Sequence, residues 1–90
     1  MIRIWGKIVK DNKILDDYVA ISNIDDTYQE NLKACIVELC DKFDIEKPYW
    51  LPCNVDEYNK RHKTVFNLNN FIDKTKFDKF VIEEINDEKA

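Results

Sequence analysis

The chain has 90 residues, a length at which we expect one small hydrophobic core and a single domain. Its apolar fraction of 44%, with two Trp, four Tyr and five Phe, is far above that of a disordered chain, so the sequence predicts a folded domain. The formal net charge of -4 argues against a general binder of nucleic acids or acidic membranes, because such proteins need a cationic surface.

The sequence contains no pattern typical of membrane insertion or secretion. Its apolar runs are a few residues long, far short of the ~20 apolar residues of a membrane-spanning helix. Met1 leads directly into alternating strand-like sequence, without a charged and then apolar leader. The three cysteines are an odd number, unlike the even disulfide framework of small secreted domains, and we expect them to be reduced. These features predict a cytoplasmic protein with no membrane anchor.

The first two predicted elements are strands joined by a turn. Apolar side chains alternate between the two faces of the first strand, with Ile2, Ile4 and Ile8 on one face and Trp5 and Val9 on the other. A strand with two apolar faces belongs in the middle of a sheet. The polar pair Asp11-Asn12 then predicts a tight turn into a second strand at 14–21, so we expect a β-hairpin.

A long amphipathic helix follows the hairpin. Thr27 and Glu30 have the spacing of a capping box, which predicts the helix start. One broad stripe at helical spacing predicts the buried side: Tyr28, Leu32, Cys35, Ile36, Leu39, Cys40 and Phe43. Because Cys35 and Cys40 fall on this stripe, we expect them to be buried as small apolar residues.

Weaker patterns follow in the second half of the chain. Asn54 with Glu57 three residues later forms a second capping box, which predicts a short helix at about 55–62. Asn67 predicts the start of a turn or two of helix. The alternating apolar segment 80–85 predicts a last strand.

These elements predict the α+β class. The expected domain at residues 1–85 has a three-stranded or four-stranded, mostly antiparallel sheet, an N-terminal hairpin, one long helix on one face, and one or two short helices before a C-terminal strand. The polar residues 86–90 are expected to form a frayed tail. We expect the aromatic segment 49–72 to cover the second face, near Trp5 and Val9; otherwise a second copy or a partner must cover it.

Several segments, which together cover most of the chain, form a distinctive set: Lys47-Pro48-Tyr49-Trp50-Leu51, residues 57–66, Asn70-Phe71-Ile72, Trp5-Gly6-Lys7-Ile8 with Lys10-Asp11-Asn12, and Phe77-Asp78 with residues 81–84. In these segments the chain resembles a group of small uncharacterised proteins from anaerobic gut bacteria of the clostridial kind. The resemblance implies a cytoplasmic bacterial protein. No activity is attached to the group, so the resemblance supplies no catalytic or binding residue.

Few residues offer catalytic or metal-binding chemistry. His62, the only histidine, lies among cations at the end of a predicted helix, where positive charge complements the helix dipole. Cys53 precedes the predicted cap Asn54, a position at which a reactive thiol can occur, but His62 would lie at the far end of the same helix, beyond hydrogen-bond reach. Zinc-type Cys pairs are absent, and with Gly6 as the only glycine no phosphate-binding loop can form. We expect no catalytic residue, metal or cofactor.

The function that the sequence favours is a small non-catalytic protein-interaction module, whose partner is another protein or a second copy. Its candidate interaction surface consists of the aromatic residues Trp5, Tyr49, Trp50 and Tyr58. One alternative is a nucleic-acid-associated protein whose contacts are the cations Lys60, Arg61 and Lys63. Another alternative is an enzyme whose cleft joins residues distant in the sequence.

Overall fold

The computed structural model describes residues 2–23 and 27–85, and these residues form a two-layer α+β domain. Four strands and two helices follow in chain order: β1 (Ile2–Lys10), β2 (Lys13–Ser22), α1 (Tyr28–Phe43), α2 (Pro52–Arg61), β3 (Lys63–Phe66) and β4 (Lys79–Glu84). A 3₁₀ turn at Leu68–Asn70 follows β3, at the position that Asn67 predicts. The expected tail at 86–90 lies outside the described residues.

The predicted hairpin is confirmed. Asp11 and Asn12 both have positive φ, 53° and 65°, as in the two-residue turns that match the right-handed twist of paired strands. The turn places Lys10 opposite Lys13, and the register holds to Ile2 opposite Ser22 except at one bulge. At that bulge Leu15 has no partner residue in β1.

The sheet is antiparallel throughout, with the strand order β2-β1-β4-β3. The strand with two apolar faces, β1, therefore has a neighbour on each side, as its sequence predicts. Strand β3, which makes the sheet four-stranded, has only four residues, too few for its alternation to be recognised in the sequence.

Helix α1 begins as its sequence predicts, and its apolar stripe packs on the core except at Tyr28, which is 40% exposed. The Thr27 side chain accepts a hydrogen bond from the backbone N–H of Glu30 at 3.3 Å. The buried part of the stripe consists of Cys35, Ile36, Leu39 and Cys40, while Leu32 and Phe43 are half-buried against the core. The helix ends at Asp44, whose φ of 57° is left-handed.

The predicted short helix is confirmed as α2, and it ends close to the predicted residue 62, but it begins at Pro52, so the predicted start near residue 55 is wrong. Leu51 is the N-cap and Pro52 takes the first helical position, where a missing N–H has no cost. The Asn54 side chain accepts from the backbone N–H of Leu51 at 3.1 Å, while Glu57 accepts from the Thr64 hydroxyl at 2.9 Å. Both residues of the predicted capping box therefore have other roles.

Both helices lie on the same face of the sheet, which corrects the expectation that segment 49–72 covers the second face. Leu39 of α1 packs on Gly6, which lies opposite Ile82, and Ile82 in turn lies opposite Thr64 of β3. Asn54 of α2 donates to that Thr64 at 3.0 Å. Segment 49–72 lies beside α1 and covers β3, because its polar and aromatic contacts are on the face of the sheet that α1 covers.

A buried amide network joins α2, β3 and the 3₁₀ turn. The Asn70 amide donates to the Asn54 side-chain oxygen at 2.7 Å and to the Tyr49 carbonyl at 2.6 Å. Asn54 donates further to the Val65 carbonyl at 2.9 Å. Since buried polar groups cost free energy unless they are paired, these bonds fix the path of the chain between α2 and β4.

Candidate protein-binding surface

The second face of the sheet, here called the open face, is uncovered by the two helices of the described chain. Strand alternation and the pairing registers place these side chains on it: Arg3, Trp5, Lys7, Val9, Ile14, Asp17, Val19, Ile21, Lys63, Val65, Lys79, Val81 and Glu83. The face contains apolar side chains from every strand and charges of both signs.

Trp5 lies near the centre of the open face and is held in one orientation. Its indole N–H donates to the Asp17 carboxylate at 3.0 Å. The Lys7 ammonium lies over the indole ring, 4.1 Å from the ring centroid, and 4.0 Å from the Glu83 carboxylate. Asp17 thus contacts the indole N–H, Lys7 contacts the face of the ring, and Glu83 contacts Lys7. These contacts fix the orientation of the half-buried ring, which presents an apolar surface.

The apolar part of the open face is largest on β2, the edge strand. Ile14 is 56% exposed, Val19 37% and Ile21 54%. Single exposed apolar residues are common, but these three are aligned along one strand and lie beside Trp5 and Val9 of β1. An aligned apolar set of this kind is typical of a surface that binds another protein.

The structure does not bring the four predicted surface aromatics together. Trp5 is on the open face, whereas Tyr58 is 4% exposed and packs in the core on the opposite side. Trp50 stacks edge-on against Tyr58 and against Phe66, with ring centroids 5.6 and 5.1 Å apart. Tyr49 is exposed, but it lies in the segment before α2. Of the predicted set, Tyr58 is therefore corrected to a core residue.

The predicted cationic stretch is exposed at the end of α2. Lys60 forms an ion pair with Asp56, one helical turn earlier, at 3.3 Å. His62 follows as the left-handed cap of the helix, and Lys63 begins β3. The aromatic rings nearest in sequence, Tyr58 and Phe66, are buried, so they do not present faces on which bases could stack.

The candidate thiol and imidazole stay apart. Cys53 is exposed in the first turn of α2, and His62 caps the opposite end of the same helix. Cys35 and Cys40 are fully buried, and burial raises the pKa of each thiol to about 11. Within the described residues, no three His, Cys, Asp or Glu side chains are grouped closely enough to hold a metal ion.

Tyr28 and Tyr58 connect the start of α1 to α2 and β4. Their hydroxyl groups are 2.8 Å apart, and the Tyr28 hydroxyl donates to the Glu84 carboxylate at 2.7 Å. Burial is the main cause that raises the pKa of both phenols, that of Tyr58 to about 12. The phenols stay protonated at neutral pH, and the contacts bind the two helices to the sheet.

A cleft of about 460 Å³ lies at the end of α1, between the hairpin and the loop after the 3₁₀ turn. Its floor is apolar and consists of Ile8, Phe43, Phe71 and Phe77. Its rim carries Asp16, Asp44, Asp73, Lys74 and Lys76. Both Glu46 carboxylate oxygens accept backbone N–H groups, those of Ile72 and Asp73, and so hold the loop in place. No sequence pattern predicts this cleft, because its walls come from segments far apart in the chain.

Comparisons of the chain with protein-family models, with curated proteins and with solved structures find no match. The resemblance to the clostridial group stays a prediction. No helix within the described residues has the length and apolar character needed to cross a membrane.

Proposed function

We propose that this chain is a small non-catalytic protein-binding module that binds its partner across the open face. The observation that carries the proposal is the arrangement of the layers: both helices pack on one face of the sheet, and the other face presents Trp5 among exposed apolar residues. Aromatic anchors surrounded by polar groups are typical of the centres of protein interfaces.

The open face favours one kind of partner. Its apolar side chains are accompanied by four cations, Arg3, Lys7, Lys63 and Lys79, and by two anions, Asp17 and Glu83. We infer a protein surface with an apolar centre and more acidic than basic groups at its rim. Because Asp17 and Lys7 fix the orientation of Trp5, the partner binds a preformed aromatic anchor.

The test is capture of a partner from lysate, its identification, and rebinding of the purified partner to variants. Trp5→Ser on the open face is expected to raise the Kd at least tenfold, since central aromatic contacts contribute ~2 kcal/mol or more. The matched control is Tyr49→Ser, which removes an exposed aromatic residue elsewhere and is expected to leave the Kd unchanged.

Three outcomes would contradict the proposal: equal losses with both variants, retained binding with Trp5→Ser, or capture of nuclease-sensitive material alone. The last outcome would favour the nucleic-acid alternative, which predicts binding through Lys60, Arg61 and Lys63. Its affinity would fall steeply as salt is added, and substitution of these cations would reduce that salt dependence.

A second candidate function depends on the cleft at the end of α1. Its volume of about 460 Å³ falls within the ~300–1,000 Å³ of small-molecule sites, and it has an apolar floor and a charged rim. This geometry favours the enzyme or ligand-binding alternative. The test is a thermal-shift screen of small molecules, in which a hit must lose its effect when Phe77→Ala opens the floor of the cleft.

A further inference from the structure

The two edges of the sheet differ in how they are protected against pairing with another strand. At one edge lies β3, which has only four residues and begins with a lysine. At the other edge lies β2, which has ten residues. Short edge strands and edge lysines hinder pairing, whereas a long regular edge favours it. The pairing potential of the described sheet is therefore concentrated at β2.

The hydrogen bonds of β1 with β4 show which residues of β2 direct their backbone groups away from the sheet. The carbonyl groups of Arg3 and Val9 accept from Ile85 and Asp78, so the odd residues of β1 direct their backbone groups toward β4. The even residues of β1 from Ile2 to Ile8 consequently bond to the even residues of β2 from Ser22 to Asp16. It follows that Val19 and Ile21 of β2 direct their N–H and C=O groups away from the sheet.

Protection of the β2 edge is confined to the half near the hairpin turn. That half carries the bulge at Leu15 and the adjacent carboxylates of Asp16 and Asp17, all of which hinder the approach of another strand. The remaining segment 18–22, Tyr-Val-Ala-Ile-Ser, contains no charge, proline or bulge. Its backbone is regular, and Val19 and Ile21, the residues whose backbone groups point outward, have β-branched side chains, which suit strand pairing.

We propose that segment 18–22 pairs with the same segment of a second copy of this chain. The two strands run antiparallel about a twofold axis at Ala20, and the two sheets join into one continuous eight-stranded sheet. In this arrangement Val19 of each copy lies opposite Ile21 of the other, and each such pair exchanges two backbone hydrogen bonds. The pairing uses the backbone edge of β2 and shares only Val19 and Ile21 with the open face, so it does not require the proposed function.

Charge and side-chain pairing select the position of the axis. An axis at Asp17 would place the two Asp17 carboxylates directly opposite each other. An axis at Tyr18 would place them diagonally on the same face. Both arrangements bring like charges together and are unfavourable. An axis at Ala20 instead places each Asp17 opposite Asn23 of the other copy. It also brings the exposed Val19 and Ile21 side chains into cross-strand contact on the open-face side.

The first experiment measures the mass of the purified chain by light scattering over a concentration series up to about 100 µM. A mass of twice the 10.8 kDa chain is expected. Ile21→Lys should raise the dimer Kd at least tenfold, because the substituted residue lies inside the paired segment. Ile14→Lys is the matched control: Ile14 has nearly the same exposure, 56% against 54%, on the same face of the same strand but outside the pairing. It should change the Kd less than about twofold.

The second experiment tests the register. Asn23→Lys places a cation opposite Asp17 of the other copy at two symmetric positions and should lower the dimer Kd about tenfold, whereas Asn23→Glu should raise it similarly. Hydrogen exchange gives an independent readout: the Val19 and Ile21 amides should become protected as protein concentration rises.

A monomeric mass throughout the series overturns the proposal. So does a dimer that Ile14→Lys and Ile21→Lys weaken equally, since that dimer would form through the open face, or one whose Asn23 variants do not differ. Circular dichroism on each variant confirms that the substitutions at these exposed positions leave the monomer folded. Failure of this proposal leaves capture of a different protein by the open face untouched.

Discussion

At the scale of single residues, Gly6 sets the distance between the sheet and α1. A Cβ atom built on Gly6 would lie 2.8 and 2.9 Å from the two Cδ atoms of Leu39, closer than carbon atoms pack. Leu39 is fully buried, so its side chain has little room to move. The close packing of helix on sheet therefore depends on the absence of a side chain at this position of β1.

Gly6→Ala is expected to lower the free energy of unfolding by about 1–3 kcal/mol, the usual cost of overpacking a core. Combining it with Leu39→Val should recover part of the loss. The free energy of unfolding of the double variant should therefore be higher than the value expected from adding the two single losses. Urea denaturation of the four proteins in this cycle measures the coupling. Additive effects would mean that Leu39 moves aside without cost.

Asn70 is a second residue whose cost of replacement can be estimated. Asn70→Ala removes the two amide hydrogen bonds to Tyr49 and Asn54 and leaves the backbone N–H of Asn67 without its 3.0 Å acceptor. Because these partners are buried or partly buried, we expect a loss of about 2–4 kcal/mol in urea denaturation. Asn69→Ala, at an exposed neighbouring position, should change stability by less than ~0.5 kcal/mol.

At the scale of secondary-structure elements, α1 and α2 both end at a non-glycine residue with left-handed backbone. Asp44 has a φ of 57° and His62 a φ of 55°, and each backbone N–H bonds to the last turn of its helix. Left-handed backbone is unfavourable for a residue with a Cβ, and glycine is the usual residue at such ends. Both helix ends therefore carry the backbone cost of a Cβ in this region, which the hydrogen bonds of the cap N–H groups to the last turn offset.

Asp44→Gly tests this interpretation. Relative to Asp44→Ala, which removes the same charge but keeps a Cβ, the glycine variant should be about 1 kcal/mol more stable to thermal or urea unfolding. Comparing the two variants cancels the effect of the lost carboxylate. Equal stabilities would show that the end of α1 is not strained.

The elements that the sequence predicts well are those with a strong local pattern. The seven-residue stripe identifies α1, and Asp11-Asn12 between alternating strands identifies the hairpin. The two apolar faces of β1 place it inside the sheet. Each of these conclusions depends on spacing within one segment, which periodicity reports directly.

The side on which segment 49–72 packs is not contained in any local pattern. It depends on contacts between distant residues: Asn54 with Thr64 and Asn70, and Trp50 with Phe66. For the same reason the sequence predicts Trp5 as a surface residue but groups it with Tyr58, which the fold buries on the opposite side. The open face and the cleft at the end of α1 exist only once the layers are assembled.

At the scale of the whole molecule, the core contains groups that must stay protonated for the fold to be stable. Cys35 and Cys40 have pKa values raised from 9.0 to about 11 by burial, and the pKa of Tyr58 is raised to about 12. Between the unfolded and folded pKa values the unfolded chain loses these protons while the folded chain keeps them. The free energy of unfolding therefore decreases as the pH rises through this range.

We expect stability to be insensitive to these groups below about pH 8 and to fall between pH 9 and 11 by roughly 2 kcal/mol for each buried thiol. Urea denaturation under reducing conditions at several pH values measures the slope. Replacing Cys35 and Cys40 by alanine should flatten it, whereas Cys53→Ala, at an exposed position, should not. An unchanged slope in the double variant would rule out the thiols as its cause.

The position of β1 between β2 and β4 determines when the domain can fold during its synthesis. The hairpin and α1 leave the ribosome early, but Ile4 and Ile8 of β1 must wait for their partners Glu84 and Phe80. Until then β1 has an unpaired edge and the core lacks Ile82. We therefore expect a nascent chain without β4 to expose an unpaired strand edge to chaperones and proteases, and truncation before β4 should yield no folded fragment.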